Sequence, residues 1–183
     1  MKNLPAVIAL SLLLASCATN KKPPMKAPEW TSIPPLVTEA LCARAHSEAI
    51  PADAPIAVIK TTQPLITTRA ISSLAHAYWK QTNISVQVAD QIGSTVPQLP
   101  ITLTTSGACL FEPMDAADKR RDSDELLLQI SSPFVNPFAR GEAGLFGRLS
   151  LGDREPSWYW VPLAERNGQW MIGTVLLLDL HEE

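Results

Sequence analysis

No stripe of lysine or arginine runs through this sequence, and its formal charge is −3. Nucleic-acid binding needs a basic face, so nucleic acid is excluded as a partner. The familiar catalytic signatures are missing as well. There is no Gly-x-Ser-x-Gly elbow, phosphate-binding loop, dinucleotide fingerprint or His-Glu-x-x-His. Ser131-Ser132 and Ser106-Gly107 lack an evident base partner. Calcium chemistry is not supported either. Asp115, Asp118, Asp122, Asp124 and Glu125 surround Lys119-Arg120-Arg121, which would repel a cation, and no glycine supplies the sharp bend of a calcium loop. Solvated charge accounts for that segment. No cofactor and no resident metal are expected. No internal repeat divides the chain.

The 183 residues suffice for one domain with a real core, and the hydrophobic content is 46%. The richest stretch is Ser157 to Leu180, with three of the five tryptophans. Asn167-Gly168 lies between two apolar runs there, the strongest short-range signal for a β-hairpin. With Arg166 and Gln169 flanking the turn, Leu163 should face Ile172, Tyr159 Leu176 and Trp160 Val175. Strand side chains alternate, so both faces of this hairpin are apolar. Pro162, which cannot donate to a ladder, falls opposite Gly173 and marks an edge or a bulge. Trp158, Tyr159 and Trp160 have two readings. One is core filling, which alternation alone explains; the other is an aromatic ligand platform on Trp158 and Trp160.

Residues 1–16 do not belong to the fold. Lys2 precedes an apolar run from Leu4 to Leu14, and eleven residues are too few to span a bilayer. The run ends in Leu14-Ala15-Ser16-Cys17, which resembles the lipobox of bacterial lipoproteins. That resemblance implies cleavage before Cys17, lipid on Cys17, and a membrane partner reached through the anchor. Ala18, where an aspartate would retain the protein at the inner membrane, implies sorting to the outer membrane, facing the periplasm. No second apolar stretch reaches spanning length. Residues 17–35, with Pro23-Pro24, Pro28 and Pro34-Pro35, read as a semi-rigid tether, and Trp30 in it could dock on the domain of residues 36–183.

Along that domain, Leu36 to Ala49 reads as a helix with a stripe of Leu36, Val37, Ala40, Leu41 and Ala45. The prolines before it suit a helix start and Pro51 a stop. Pro55 to Thr61 reads as a strand. A second helix, capped by Thr67 or Thr68, runs to about Gln81 on Ala70, Ile71, Leu74, Ala75 and Tyr78. Ile84, Val86 and Val88 alternate like a strand, and Gln91 to Pro100 reads as loop. Ile101 to Thr105 and Cys109 to Phe111 read as strand, Pro113 to Glu125 as loop. Leu126 to Ser131, Ala143 to Leu151, Ser157 to Leu163 and Gln169 to Leu180 read as antiparallel strands. The expectation is an α+β fold: an antiparallel sheet of five to six strands with two N-terminal helices on one face.

Cys42 and Cys109 remain after Cys17 is set aside. In an oxidising compartment an even pair suggests a disulfide. Closing so long a loop contributes about 4 kcal/mol in the chain-entropy account. Two alternatives stay open. The thiols could be inert, or Cys42 could act with His46, one helical turn away, as a thiolate–imidazole dyad or a pair of metal ligands. A metal needs more ligands than these two, and no other residue shares the spacing. His76 and His181 suggest no role.

The segment from Val37 to Leu180 resembles a loose group of uncharacterised bacterial secreted proteins and lipoproteins. The resemblance lies in the order of IKTT, PITLTTS, the block LLLQISSPFVNPFARGEAGLFGRLSLG and WYWVPLAERNGQWMIG. Its matching residues are Ser131, Ser132, Phe134, Asn136, Ala143, Gly168 and Trp170. The group carries no assigned activity, so no catalytic residue transfers. Gly152-Asp153-Arg154-Glu155-Pro156 stands where members have a Cys- and Gly-rich segment. The expected function is a non-catalytic binding or structural domain of the cell envelope with an envelope protein partner. The alternative is an envelope hydrolase or thiol-dependent enzyme using Cys42 and His46.

Overall fold

The computed structural model describes residues 26–47, 54–79, 86–104, 109–117, 126–136, 142–152 and 154–180. Cys17, most of the expected tether, Pro51, Ser106-Gly107, His181 and all of the charged loop beyond Ala117 lie outside the described residues. In chain order the elements are α1 (Pro35–His46), β1 (Ile56–Ile59), α2 (Thr68–Trp79), α3 (Val86–Thr95), β2 (Phe111–Met114), β3 (Leu126–Ile130), β4 (Phe134–Val135), β5 (Ala143–Leu151), β6 (Ser157–Arg166), β7 (Gln169–Ile172) and β8 (Leu176–Leu178).

Helix α1 starts where the prolines put it. Pro34 is extended and Pro35 takes the first helical position, where a missing N–H costs nothing. Its buried residues are Val37, Thr38, Leu41, Cys42 and Ala45. Leu36, expected in the stripe, is instead 54% exposed. The helix is therefore turned so that Thr38 and Cys42 point inward, and the Thr38 hydroxyl donates to Pro35 O at 2.8 Å. Helix α2 is capped by Thr67, whose Oγ1 accepts the Ala70 N–H at 3.2 Å. Arg69 and Ser73 on it donate to the backbone oxygens of Leu180 and Asp179, at 2.7 and 2.9 Å. Helix α3 occupies residues expected to be strand and loop. Ile92 and Val96, four residues apart, pack on the same core, and that contact outweighs the strand-like alternation before them.

The fold is α+β, but the sheet is mixed and the helices cover both of its faces. Strand order is β2-β1-β3-β5-β6-β7, with β4 paired to β5 and β8 to β6. β1 runs parallel to both β2 and β3, and the other pairs are antiparallel. The purely antiparallel expectation fails because α2 and α3 form a crossover from β1 to β2, and a crossover returns the chain in the same direction. The single-face arrangement fails because the central strands are apolar on both sides. Leu145, Tyr159, Val161 and Leu163 pack with Val37, Leu41, Ile56 and Leu128 in the core under α1. Phe146, Trp160 and Phe134 pack with Ile71, Leu74 and Leu178 in the core under α2. Helix α1 comes close enough that a Cβ on Gly147 would meet Leu41 Cδ2 at 2.6 Å.

The hairpin turn forms as expected, with Asn167 and Gly168 at φ 54° and 76°. Arg166 pairs with Gln169 and Leu163 with Ile172. Past Gly173, however, the register slips by one residue, so that Trp160 pairs with Leu176 and Tyr159 with Leu177. The Gly173 N–H donates to Pro162 O at 2.8 Å. A one-residue bulge at the proline reverses every side chain that follows. Val175 thus enters the core under α1, while Leu176 and Leu178 face α2. Ile33 is fully buried and bridges Ile101. Among the described residues, no helix is long and apolar enough to cross a membrane.

Candidate functional site

The buried face of α1 carries Cys42, and His46 follows one turn later at the end of the same helix. Cys109 sits just before edge strand β2, so the parallel β1–β2 pairing carries it alongside α1. The two cysteines lie at disulfide distance, with Cα atoms 6.5 Å apart across 67 residues of chain. That separation falls within the range a disulfide spans. His46 Nε2 lies 3.4 Å from Cys109 Sγ. The sulfurs of Cys42 and Cys109 and a ring nitrogen of His46 all lie within 4.8 Å of one another. Both cysteines are buried, and His46 is half-buried. The pairing of Cys42 with Cys109 and the helical pair Cys42–His46 are separate readings of the sequence; the fold brings all three side chains together, and the imidazole contact is to Cys109. The sequence offers no local signal for this contact, because two elements far apart in the chain create it.

The aromatic residues of β6 divide between the two faces. Trp160 is 2% exposed, with the Phe134 and Phe146 rings at 5.4 and 5.3 Å between centroids. Its ring is enclosed by core side chains. Trp158 is half-buried at the margin of the same core, and the Arg148 guanidinium stands 5.7 Å from its ring centroid. Arg148 also donates to Gln129 Oε1 at 2.8 Å. Tyr159 faces the opposite core and is 1% exposed.

Ser131 and Ser132, noted for lacking a base, are both occupied with backbone. Ser131 Oγ donates to Ser132 O at 3.0 Å and accepts the Phe146 N–H at 2.8 Å. Ser132 Oγ shares a 2.8 Å hydrogen bond with Thr62 Oγ1 and donates to Pro97 O. Thr62 Oγ1 also accepts the Leu99 N–H at 2.8 Å. Asn136 donates its side-chain amide to Glu142 Oε2 at 3.2 Å, and its backbone N–H to Glu142 O at 2.9 Å. Ser131, Ser132, Phe134, Asn136 and Ala143 are all buried. These five residues lie at the corner joining β3, β4 and β5, whereas Gly168 and Trp170 lie at the turn between β6 and β7 and in β7. His76 is exposed on α2.

A groove of about 430 Å³ runs between residues 27–30, α3 and β4, lined in part by Trp30, Ile92, Val96, Pro97 and Phe134. Trp30 also packs against the core under α1. Compared with protein-family models, curated proteins and solved structures, the chain has no match.

Proposed function

We propose that this chain is a lipoprotein of the bacterial cell envelope whose domain binds an envelope partner or serves a structural role without catalysis. Residues 1–16 act as its signal, Cys17 carries the lipid, and the proline-rich segment after it spaces the domain from the membrane. The observation that carries the reading is the sequence Leu14-Ala15-Ser16-Cys17 directly after an apolar run too short to span. Ala18 favours the outer membrane, with the domain facing the periplasm. Two buried cysteines at disulfide distance support an oxidising compartment. The resemblance to secreted proteins and lipoproteins points the same way, and five of its seven residues, Ser131, Ser132, Phe134, Asn136 and Ala143, are buried, while Gly168 is exposed in a turn and Trp170 is half-buried.

Metabolic labelling with an alkyne fatty acid tests the anchor. The wild-type chain should take the label and Cys17→Ser should not; equal labelling of both overturns the assignment. The thiol-enzyme reading rests on His46 standing 3.4 Å from Cys109. It is the weaker one, because Cys42 and Cys109 are 1% and 6% exposed and their sulfurs face each other. Photo-crosslinking of the anchored chain in native envelopes, followed by identification of what it captures, tests the binding role. Recovery of the chain with no crosslinked neighbour from any surface position argues against it.

A further inference from the structure

The cysteine–histidine cluster has a geometry that a staple alone does not require. A disulfide needs two side chains, yet a third donor is aimed at one of its sulfurs. Zinc binds thiolate sulfur at about 2.3 Å and imidazole nitrogen at about 2.0 Å. At a tetrahedral angle those bonds set the sulfur and nitrogen about 3.5 Å apart. His46 Nε2 and Cys109 Sγ stand at 3.4 Å, so one edge of a zinc polyhedron is already formed. Cys42 and His46 are four residues apart on one helical face, a spacing that lets both reach a common point. The remaining edge needs the two sulfurs to part to about 3.8 Å. The Cα separation of 6.5 Å lies near the upper end of the disulfide range of about 4.4–6.8 Å, which leaves room for that parting by side-chain rotation. Among the described residues, this is the group of three such side chains whose donor atoms come together.

We propose that the reduced form of the chain binds one Zn(II) through Cys42 Sγ, Cys109 Sγ and His46 Nε2, with a solvent molecule in the fourth position. The half-buried His46 marks the side from which ion and water enter. An open fourth position distinguishes such a site from a closed structural zinc site. Disulfide and zinc are mutually exclusive states of the same pair. With a phosphine as reductant, the sulfur–sulfur bond gains two electrons and two protons while phosphine and water become phosphine oxide. Zinc then displaces the two thiol protons to solvent, and neutral His46 gives its ring lone pair. The inference holds whether or not Cys17 carries lipid.

The experiment uses the full chain in a Cys17→Ser background, which removes the one other thiol. The chain is reduced anaerobically with a phosphine, desalted, and titrated with Co(II) as a spectroscopic probe and then with Zn(II) against a chromophoric chelator. Circular dichroism follows the fold throughout. The reduced, folded chain should take up one equivalent, with sulfur-to-cobalt charge-transfer absorption that zinc abolishes. The oxidised chain should take up none. His46→Ala should weaken zinc binding at least tenfold, and Cys42→Ser with Cys109→Ser should remove the charge-transfer band. Absence of stoichiometric uptake by the reduced chain, folded or not, overturns the proposal. So does uptake confined to unfolded chain, equal uptake by the oxidised chain, or unchanged affinity in His46→Ala.

Discussion

Replacing Trp160 with alanine should be among the most damaging single changes in this chain, while the same change at Trp158 should be mild. Trp160 is 2% exposed and wedged between Phe134 and Phe146 in the core that α2 covers. Truncating a buried tryptophan costs about 3–5 kcal/mol, since lost burial and the residual cavity add. A domain of this size loses about 2–4 °C of melting temperature per kcal/mol, so the midpoint should fall by about 6–20 °C. Against a total stability of about 5–15 kcal/mol, that loss should also reduce the amount of folded protein in cells. Trp158 packs at the core margin, and the Arg148 guanidinium stands over its ring at 5.7 Å from the centroid. Its removal gives up partial burial and a weak cation–π contact, about 1–2 kcal/mol together. Thermal and urea melts followed by far-UV circular dichroism measure both, without relying on the fluorescence that the substitutions alter. Equal destabilisation by the two variants, or a Trp160→Ala midpoint within 2 °C of the parent by a rough margin, would refute the reasoning. The second outcome would return β6 to consideration as a ligand platform.

Other changes test other parts of the fold. Non-reducing peptide mapping should recover Cys42 joined to Cys109; free alkylation of both in the native chain would contradict the bridge. Cys42→Ala with Cys109→Ala should lower stability by up to about 4 kcal/mol in urea melts of the oxidised parent and the variant. Thr62→Val removes the acceptor for the buried Leu99 N–H and a partner of Ser132, and should cost about 1–3 kcal/mol by the same measurement. Gly147→Ala places a Cβ 2.6 Å from Leu41 Cδ2, so this buried side chain must shift, and the change should cost about 1–3 kcal/mol. Gly168→Val meets no neighbouring atom, so any loss of melting temperature there reports the strain of a β-branched residue at positive φ.

What could be read from the sequence was local. The Asn167-Gly168 turn and the pairing of Leu163 with Ile172 needed only the residues beside them. The apolar character of both hairpin faces was visible as well, yet it did not reveal that α1 and α2 would take opposite sides. The bulge was signalled by Pro162 opposite Gly173, but its effect on Leu176 to Leu178 depends on which core each side chain fills. The parallel pairing of β1 could not be read, because Ile56 finds Phe111 and Leu126 only after a helical crossover. Helix α3 was hidden behind strand-like alternation, and the core contacts of Ile92 within it and of Val96 just after it are tertiary. The same distance hid the contact between His46 and Cys109, whereas Cys42 and His46 were visible as a helical pair.

The placement of β1 has a kinetic consequence. This strand is made early in synthesis, yet its ladder partners on both sides are much later segments of the chain, and α1 packs on β6 and β7, later still. Little of the N-terminal half can be satisfied by its own neighbours in sequence. Loops must close over long stretches before any of these contacts forms, which is the condition under which folding is slow. A ribosome-bound fragment that stops before Ser157 should therefore remain protease-sensitive, with Ile56 to Ile59 and the inner face of α1 uncovered, until the last hairpin emerges and closes both cores.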